Sequence, residues 1–393
     1  MIGTIKIESF KSLESLTIDI GQVNVFIGGN GSGKSNLLEA IGVLSAAADG
    51  KVTDQTLMQR GVRPGVPRLY KSAFEKNIVP HIHFAASNPE NRYEIDLQNP
   101  SKDPKPAWRF KTEKWEHNKE KIVGNYPAMN RSTFPEQGIA ALKLAERPQD
   151  DPALFFLKRL QNYVIYSPTT PVLRGISPEI QPRHPVGLTG GRLPEAIMEL
   201  SKYRRQINES EEIQQQILSL IDWASSYSAG DSITLPLSPS ASTARLMVKF
   251  RDKYMREKHN ILSGYDASEG ALYILFLAVL AVHPESPEFF AIDNADHGLN
   301  PRLACELSKL FCKWIMDSPG NRQVLITSHN PAVLDGLPLG DDRVRLFTVD
   351  RDNKGHTVVK RIEVTDKLLS FAEKGWTMSR LWMNKLIGGV PNV

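Results

Sequence analysis

The sequence predicts a mixed α/β fold, in which a mixed sheet carries a β-rich lobe and a helical insertion. Three observations predict it. The first 48 residues alternate as strand, turn, strand, glycine-rich loop and helix. Two short, mainly apolar runs, Phe289 to Ile292 and Val324 to Thr327, read as buried strands separated by a helical pattern. Between these two regular regions lies a proline-rich stretch with short alternating strands such as Tyr93-Glu-Ile-Asp-Leu. At 393 residues, with 41% hydrophobic and 23% charged residues, the chain is long and apolar enough for two to three packing units or one composite domain. The same composition excludes a disordered chain, a coiled-coil rod and a collagen-like fibre.

In order, Ile5, Ile7 and Phe10 begin one alternation, Leu16, Ile18 and Ile20 form a second, and Val23 to Ile27 is a short apolar strand. The segment from Asn36 to Leu44 has helical spacing. Residues 50 to 190 read as an irregular β-rich lobe, with a helix running into a strand over Leu154 to Tyr166 and a Pro/Gly-rich loop after Ser167. Helical spacing rich in Glu, Gln and Arg returns from Leu193 to about Tyr227. Leu246, Val248 and Phe250 alternate as a strand, and Ser268 to Val282 reads as a helix. Asn300-Pro301 opens another helix with Asn as cap and Pro in the first turn. Val344 to Val364 reads as a hairpin turning at Asp352-Asn-Lys-Gly. The expected division is therefore 1–190, an N-terminal part with the β-rich lobe; 191–240, a helical insertion; and 241–393, a C-terminal part.

Several classes are set aside by simple features. The amino-terminal residues lack the apolar run of a secretory signal, and the longest greasy stretch, Ala271 to Val282, stops after about a dozen residues where a span needs about 20. A cytoplasmic protein with no membrane partner is expected. Cys305 and Cys312 share a helical pattern about 10 Å apart, beyond disulfide reach. The net charge of +4 is compatible with nucleic acid and weak evidence for it. Lys105, Arg109 and Lys111 alternate with Trp108, Phe110 and Trp115, which reads as a solvated strand face before it reads as a nucleic-acid surface. Asp350-Arg351-Asp352 reads as a turn before a nuclease metal site, and His81-Ile82-His83 lacks a third ligand at metal spacing.

The strongest local signal is Gly28-Gly29-Asn30-Gly31-Ser32-Gly33-Lys34-Ser35, a complete G-x-x-x-x-G-K-[ST] pattern between a strand and a helix. Its glycines let backbone N–H groups converge on phosphate oxygens at a helix N-terminus. Lys34 is placed to reach the β- and γ-phosphates of ATP and Ser35 to bind Mg2+. The second requirement is a carboxylate at a strand end near that magnesium, which Asp293 supplies. Ser268-Glu269-Gly270 opens a helix before it, and Ser328-His329 closes a strand after it.

In this order, phosphate loop, Ser-x-Gly at a helix start, strand ending in Asp, and strand ending in Thr-Ser-His-x-Pro, the chain resembles the ABC-type ATPase heads of the SMC, RecF and OLD group. Phe10-Lys11-Ser12-Leu13 and Gly298-Leu299-Asn300-Pro301 make it similar to standalone members without long arms. The resemblance covers residues 1 to 45 and about 245 to 335 well, and implies a P-loop NTPase fold of ABC/SMC-head type. It implies a homodimer in which the phosphate loop of one head faces Ser268, Glu269 and Gly270 of the other across ATP, with His329 as the switch histidine. Leu262-Ser263-Gly264 competes for the signature, and the helix-opening Ser268-Glu269-Gly270 is preferred.

One departure matters. Where the family usually has Glu, this chain has Asn294, within Asp293-Asn294-Ala295-Asp296. An amide orients a water but does not take its proton, so slow hydrolysis is expected unless Asp296 or His329 substitutes. The resemblance implies a switch or clamp in DNA transactions, including antiphage defence beside a separately encoded nuclease effector. A DNA-stimulated ATPase of recombination or repair is the second reading, and a transporter motor subunit the third.

Overall fold

The structure is a computed structural model, and it describes residues 1–72, 74, 80–124, 135–148, 150–207, 212–241 and 243–389. Fifteen strands among these residues form three sheets. The central one is built from β3 (Val23–Ile27), β8 (Val164–Tyr166), β12 (Phe289–Ile292), β13 (Gln323–Ser328), β14 (Val344–Arg351) and β15 (Thr357–Ile362), in the order β15-β14-β3-β13-β12-β8. Every pair in it is parallel except β14–β15, the hairpin at one edge. An antiparallel sheet of β1 (Thr4–Phe10), β2 (Leu13–Asp19), β4 (Ile82–Ser87), β5 (Asn91–Gln98), β6 (Arg109–His117) and β7 (Glu120–Val123) runs in the order β2-β1-β4-β5-β6-β7. A third, three-stranded sheet joins β9 (Ala224–Asp231), β10 (Leu246–Asp252) and β11 (Ile261–Ser263) in the order β11-β10-β9.

Strand residues of the central sheet alternate between two cores. Phe26, Phe289, Ala291, Leu325 and Phe347 face one side, where they meet the helix Lys34–Ala48 and, beyond it, Ile5, Ile7, Phe84 and Ile95 of the antiparallel sheet. Val25, Ile27, Phe290, Ile292, Val324 and Ile326 face the other, against the helix Glu269–Val282. Both helices are enclosed, which is why neither carries a polar face: Ala271 to Ala281 are buried without a break. No helix among the described residues is long and apolar enough to cross a membrane. The longest helix among them, Pro301–Met316, has 16 residues, too few for a coiled-coil arm. Phe290 lies edge-on to Tyr166 with ring centroids 5.9 Å apart and is completely buried. Phe290→Ala is expected to cost about 3–5 kcal/mol through the cavity it leaves, read as a lowered urea midpoint with unchanged slope.

The segment after residue 191 differs from its expectation in one respect. Helices Leu193–Ile207 and Glu212–Leu220 form, and the second is tied to Pro301–Met316 by the Trp314 indole N–H donating to Gln216 Oε1 at 2.6 Å. Helical spacing, however, ends there, and the residues expected to continue it start β9, which pairs along β10. The aromatics of β6 and the residue before it, Trp108, Phe110 and Trp115, point into the core, so the basic stretch offers no stacking platform there.

Candidate nucleotide-binding site

Parallel pairing sets the site. β3, β13 and β12 are neighbours running the same way, so their C-terminal ends deliver the phosphate loop, His329 and Asp293 to one edge of the sheet. The loop runs from Gly28 into the helix Lys34–Ala48, with Gly33 at φ 110°. That conformation favours glycine, and a Cβ on Gly33 would lie 2.0 Å from Thr357 Oγ1. A Cβ on Gly28 would meet the Val349 carbonyl at 2.2 Å. The loop is thus held from behind by the β14–β15 hairpin: Thr357 Oγ1 donates to the Ser32 carbonyl at 2.8 Å, and Arg351 Nε donates to the Gly31 carbonyl at 2.9 Å. Ser12 completes the brace, accepting from Asn36 Nδ2 at 2.8 Å and lying 2.7 Å from Thr357 Oγ1.

Asn30, Gly31, Ser32, Gly33, Lys34, Ser35, Asn36, Arg63, Asn294, His329 and Arg351 line one cleft. Lys34 is buried, its Nζ donating to the Gly28 carbonyl at 2.7 Å and the Gly29 carbonyl at 2.9 Å, with His329 Nδ1 at 3.4 Å. Burial lowers its pKa from 10.5 to about 8, against the opposing pull of Asp293 and Asp296. Ser35 Oγ donates to Asp293 Oδ2 at 3.0 Å, and Thr327 Oγ1 donates to the other oxygen of the same carboxylate. Thr327 Oγ1 in turn accepts the Asn294 N–H at 2.9 Å. Asn294 sits at φ 56°, in the left-handed region that Asn tolerates better than most residues.

His329 lies between the loop and the acidic segment. Burial and the neighbouring Lys34 charge pull its imidazole below the ordinary range, with Asp296, the Gly28 backbone and Asp293 opposing. The Asp296 carboxylate accepts the backbone N–H groups of His329 at 3.3 Å and Asn330 at 3.0 Å, fixing the segment that carries the histidine. Beyond Ser35 and Asp293 the cleft continues into an apolar recess walled by Met58, Ile180 and Leu188.

Ser268 is elsewhere. It caps the helix Glu269–Val282, accepting the Ala271 N–H at 3.3 Å. Glu269 accepts from Thr170 Oγ1 and lies 3.3 Å from His297 Nδ1, and a Cβ on Gly270 would meet the Gly298 carbonyl at 3.1 Å. Among the described residues no hydrogen bond joins this tripeptide to the phosphate loop. Ser263 of the competing Leu262-Ser263-Gly264 is buried in β11, bonded to Asp266 at 2.8 Å. Asp350 Oδ2 accepts the Gly389 N–H and Asp352 accepts the N–H groups of Lys354 and His356, the pattern of a turn.

The residues present fit Mg2+ and a nucleoside triphosphate. No described residue accepts from the backbone N–H groups of Gly31, Gly33, Lys34 or Ser35, and buried Ser32 Oγ is without a partner among the described residues. Donors thus converge beside a buried ammonium, while Ser35 and Asp293 offer adjacent oxygens of the kind that Mg2+ takes. Arg63 and Thr357 carry no mark in the sequence, and Arg351 reads there only as part of a turn. Arg63 follows an irregular segment and is held by Glu39 Oε1 at 2.6 Å.

A parallel sheet that brings loop, carboxylate and histidine to one edge, with an antiparallel sheet packed over the loop helix, defines an ABC-type P-loop ATPase head. The chain belongs to the family described as "AAA domain, putative AbiEii toxin, Type IV TA system", which residues 23–335 match. Among solved structures it is similar to an SMC head bound to the C-winged helix domain of ScpA, at 13% identity over 95% of this chain and 99% of that one, with TM-score 0.55. It is also similar to an SMC head with an extended coiled coil bound to the C-terminal domain of ScpA derived from Pyrococcus furiosus, at 12% identity over 95% and 98% of the two chains, with TM-score 0.50. At these identities the likeness is one of fold. No curated protein matches the sequence.

Proposed function

We propose that the chain is an ATP-dependent switch whose output is the pairing of two copies head to tail. The observation that carries this reading is the separation of two half-sites. Lys34, Ser35 and His329 line one cleft, with Asp293 bonded to Ser35 beside it, whereas Ser268-Glu269-Gly270 opens a different helix and, among the described residues, has no hydrogen bond to that cleft. A helix N-terminus with a serine cap attracts phosphate, and a second copy is what would bring it there. Lys34 and the loop N–H groups would hold the β- and γ-phosphates, Ser35 and Asp293 would hold Mg2+, and Ser268 and Gly270 of the other protomer would close over the γ-phosphate. Mg2+ would supply neutralisation of phosphate charge. His329 would report the γ-phosphate to the loop that Asp296 holds.

Hydrolysis in this reading is slow, because Asn294 orients water without accepting its proton. Closure, not turnover, would be transmitted to a partner in the cytoplasm. The toxin–antitoxin wording of the family description and the resemblance to OLD-like and RecF-like heads support a role in defence, on DNA or through a separately encoded effector such as a nuclease. The SMC heads that bind ScpA domains support a protein partner.

Ser268→Arg is the direct test. Light scattering with and without Mg–ATP should show doubling of mass for the wild type and none for the variant. Nucleotide affinity of the monomer should stay within about twofold, since the substituted side chain would lie outside the cleft that binds ATP. A variant that still doubles in mass rules out the signature contact.

A further inference from the structure

At the far end of the helix that Ser268 opens, side chains from three separate segments converge. His184 comes from the loop between the short helix Thr170–Leu173 and the helix Leu193–Ile207, Glu199 from the latter helix, and Glu285 from the turn that follows Glu269–Val282. One ligand atom from each, a ring nitrogen and two carboxylate oxygens, lies within 4.8 Å of the others. His184 Nδ1 and Glu285 Oε2 are 3.3 Å apart. Two exposed groups at that distance make an ordinary surface pair, so the buried side of the cluster decides the matter.

There, His283 is 2% exposed, and its Nε2 has no hydrogen-bond partner among the described residues. It points at Glu199 Oε2 across 3.6 Å, too far for a good hydrogen bond. Glu199 Oε2 is also buried and without a partner, whereas Oε1 of the same carboxylate accepts from Arg192 at 3.2 Å. Two unsatisfied polar atoms facing each other in a buried gap are costly unless something takes them up. His283 Nδ1 accepts the Glu285 backbone N–H at 3.2 Å, so the neutral ring carries its proton on Nε2, facing Glu199.

We propose that His184, Glu199 and Glu285 bind a divalent transition-metal ion of the Zn2+ class, with His283 beneath them as a positioning residue for the Glu199 carboxylate. One imidazole and two carboxylates suit Zn2+ better than Mg2+ or Ca2+, which prefer oxygen ligands alone. A water completes the set. Arg192 holds one oxygen of Glu199 and leaves the other for the ion, and with the ion bound the His283 N–H, 3.6 Å away without it, would close on that second oxygen, as partners behind metal ligands do elsewhere. The ion fastens the end of the signature-bearing helix to the Leu193–Ile207 helix and the loop beside it. The site is distinct from the residues that would hold Mg2+ and ATP.

The test uses the full chain, stripped with a chelator and free of nucleotide, titrated with Zn2+ in competition with a chromophoric chelator. One tight Zn2+ per chain is expected. His184→Ala and Glu285→Gln should each weaken it at least about tenfold, the effect typical of losing a metal-site group, and the double variant should lose it. Co2+ should give visible absorption bands in the wild type that disappear in His184→Ala. Both side chains are more than half exposed, so the variants should fold, as circular dichroism would verify. Wild-type protein without stoichiometric Zn2+ overturns the proposal, as does binding of equal strength in both variants, which would leave the pair a surface ion pair.

Discussion

Lys34→Ala should lower ATP affinity by about a hundredfold or more while the apo protein keeps its stability. Charge-assisted hydrogen bonds are worth about 1.5–3 kcal/mol each, and the buried ammonium beside the loop is placed to make two or more to phosphate oxygens. In the apo chain its hydrogens go to the Gly28 and Gly29 carbonyls, and the charge is held at a desolvation cost, so its loss leaves little to compensate. The same displacement predicts a pH effect. A group with folded pKa about 8 and unfolded pKa 10.5 binds fewer protons in the folded state between those values. Its contribution to apo stability therefore rises with pH across that window. Bound triphosphate adds negative charge and raises the lysine pKa, so binding takes up a proton above about pH 8 and weakens as pH climbs further. Calorimetry about half a unit above that folded pKa, in two buffers of different ionisation enthalpy, should show proton uptake in the wild type and none in Lys34→Ala. Equal affinity of the two proteins would remove the phosphate loop from the function.

What the sequence made legible was local. The phosphate loop lies within eight consecutive residues, its strand and helix are adjacent to it, and Asn300-Pro301 and Ser268 announce their helices through capping chemistry. The parallel core could be anticipated because strands buried on both faces read as unbroken apolar runs. The remainder depends on contacts between distant segments. Thr357 supports Ser32 across 325 positions, and nothing about a threonine in a hairpin marks it for that task. β9, Ala-Ser-Ser-Tyr-Ser-Ala-Gly-Asp, has almost no β-branched or large apolar residues and takes its conformation from pairing with β10. Asn294 reads as a chemical departure; its left-handed backbone is not visible in the sequence. Asp296 reads as a spare carboxylate, whereas its oxygens are engaged by the backbone that carries His329.

Asn294→Glu should raise turnover by about a hundredfold, the lower end of what a positioned general base contributes, and should shorten the life of the ATP-bound dimer in proportion. The position already lines the cleft, one residue beyond Asp293, with its N–H anchored on Thr327 Oγ1. A carboxylate there would stand at the same cleft wall, where it could take a proton from the attacking water. Neither neighbour fills that role well in the wild type: Asp296 is committed to two backbone N–H groups, and His329, depressed by burial and Lys34, is a weak base. A cost comes with the change, because Glu is less at ease than Asn at φ 56°, and about 1 kcal/mol of stability should be lost. Stability and rate thus move in opposite directions, which separates this outcome from general tightening of the site. Phosphate release under saturating Mg–ATP, paired with the decay of dimer mass after ATP is withdrawn, measures both consequences. If turnover stays at the wild-type value, the amide is not what limits hydrolysis, and the proposed long-lived closed state would have to rest on the interface instead.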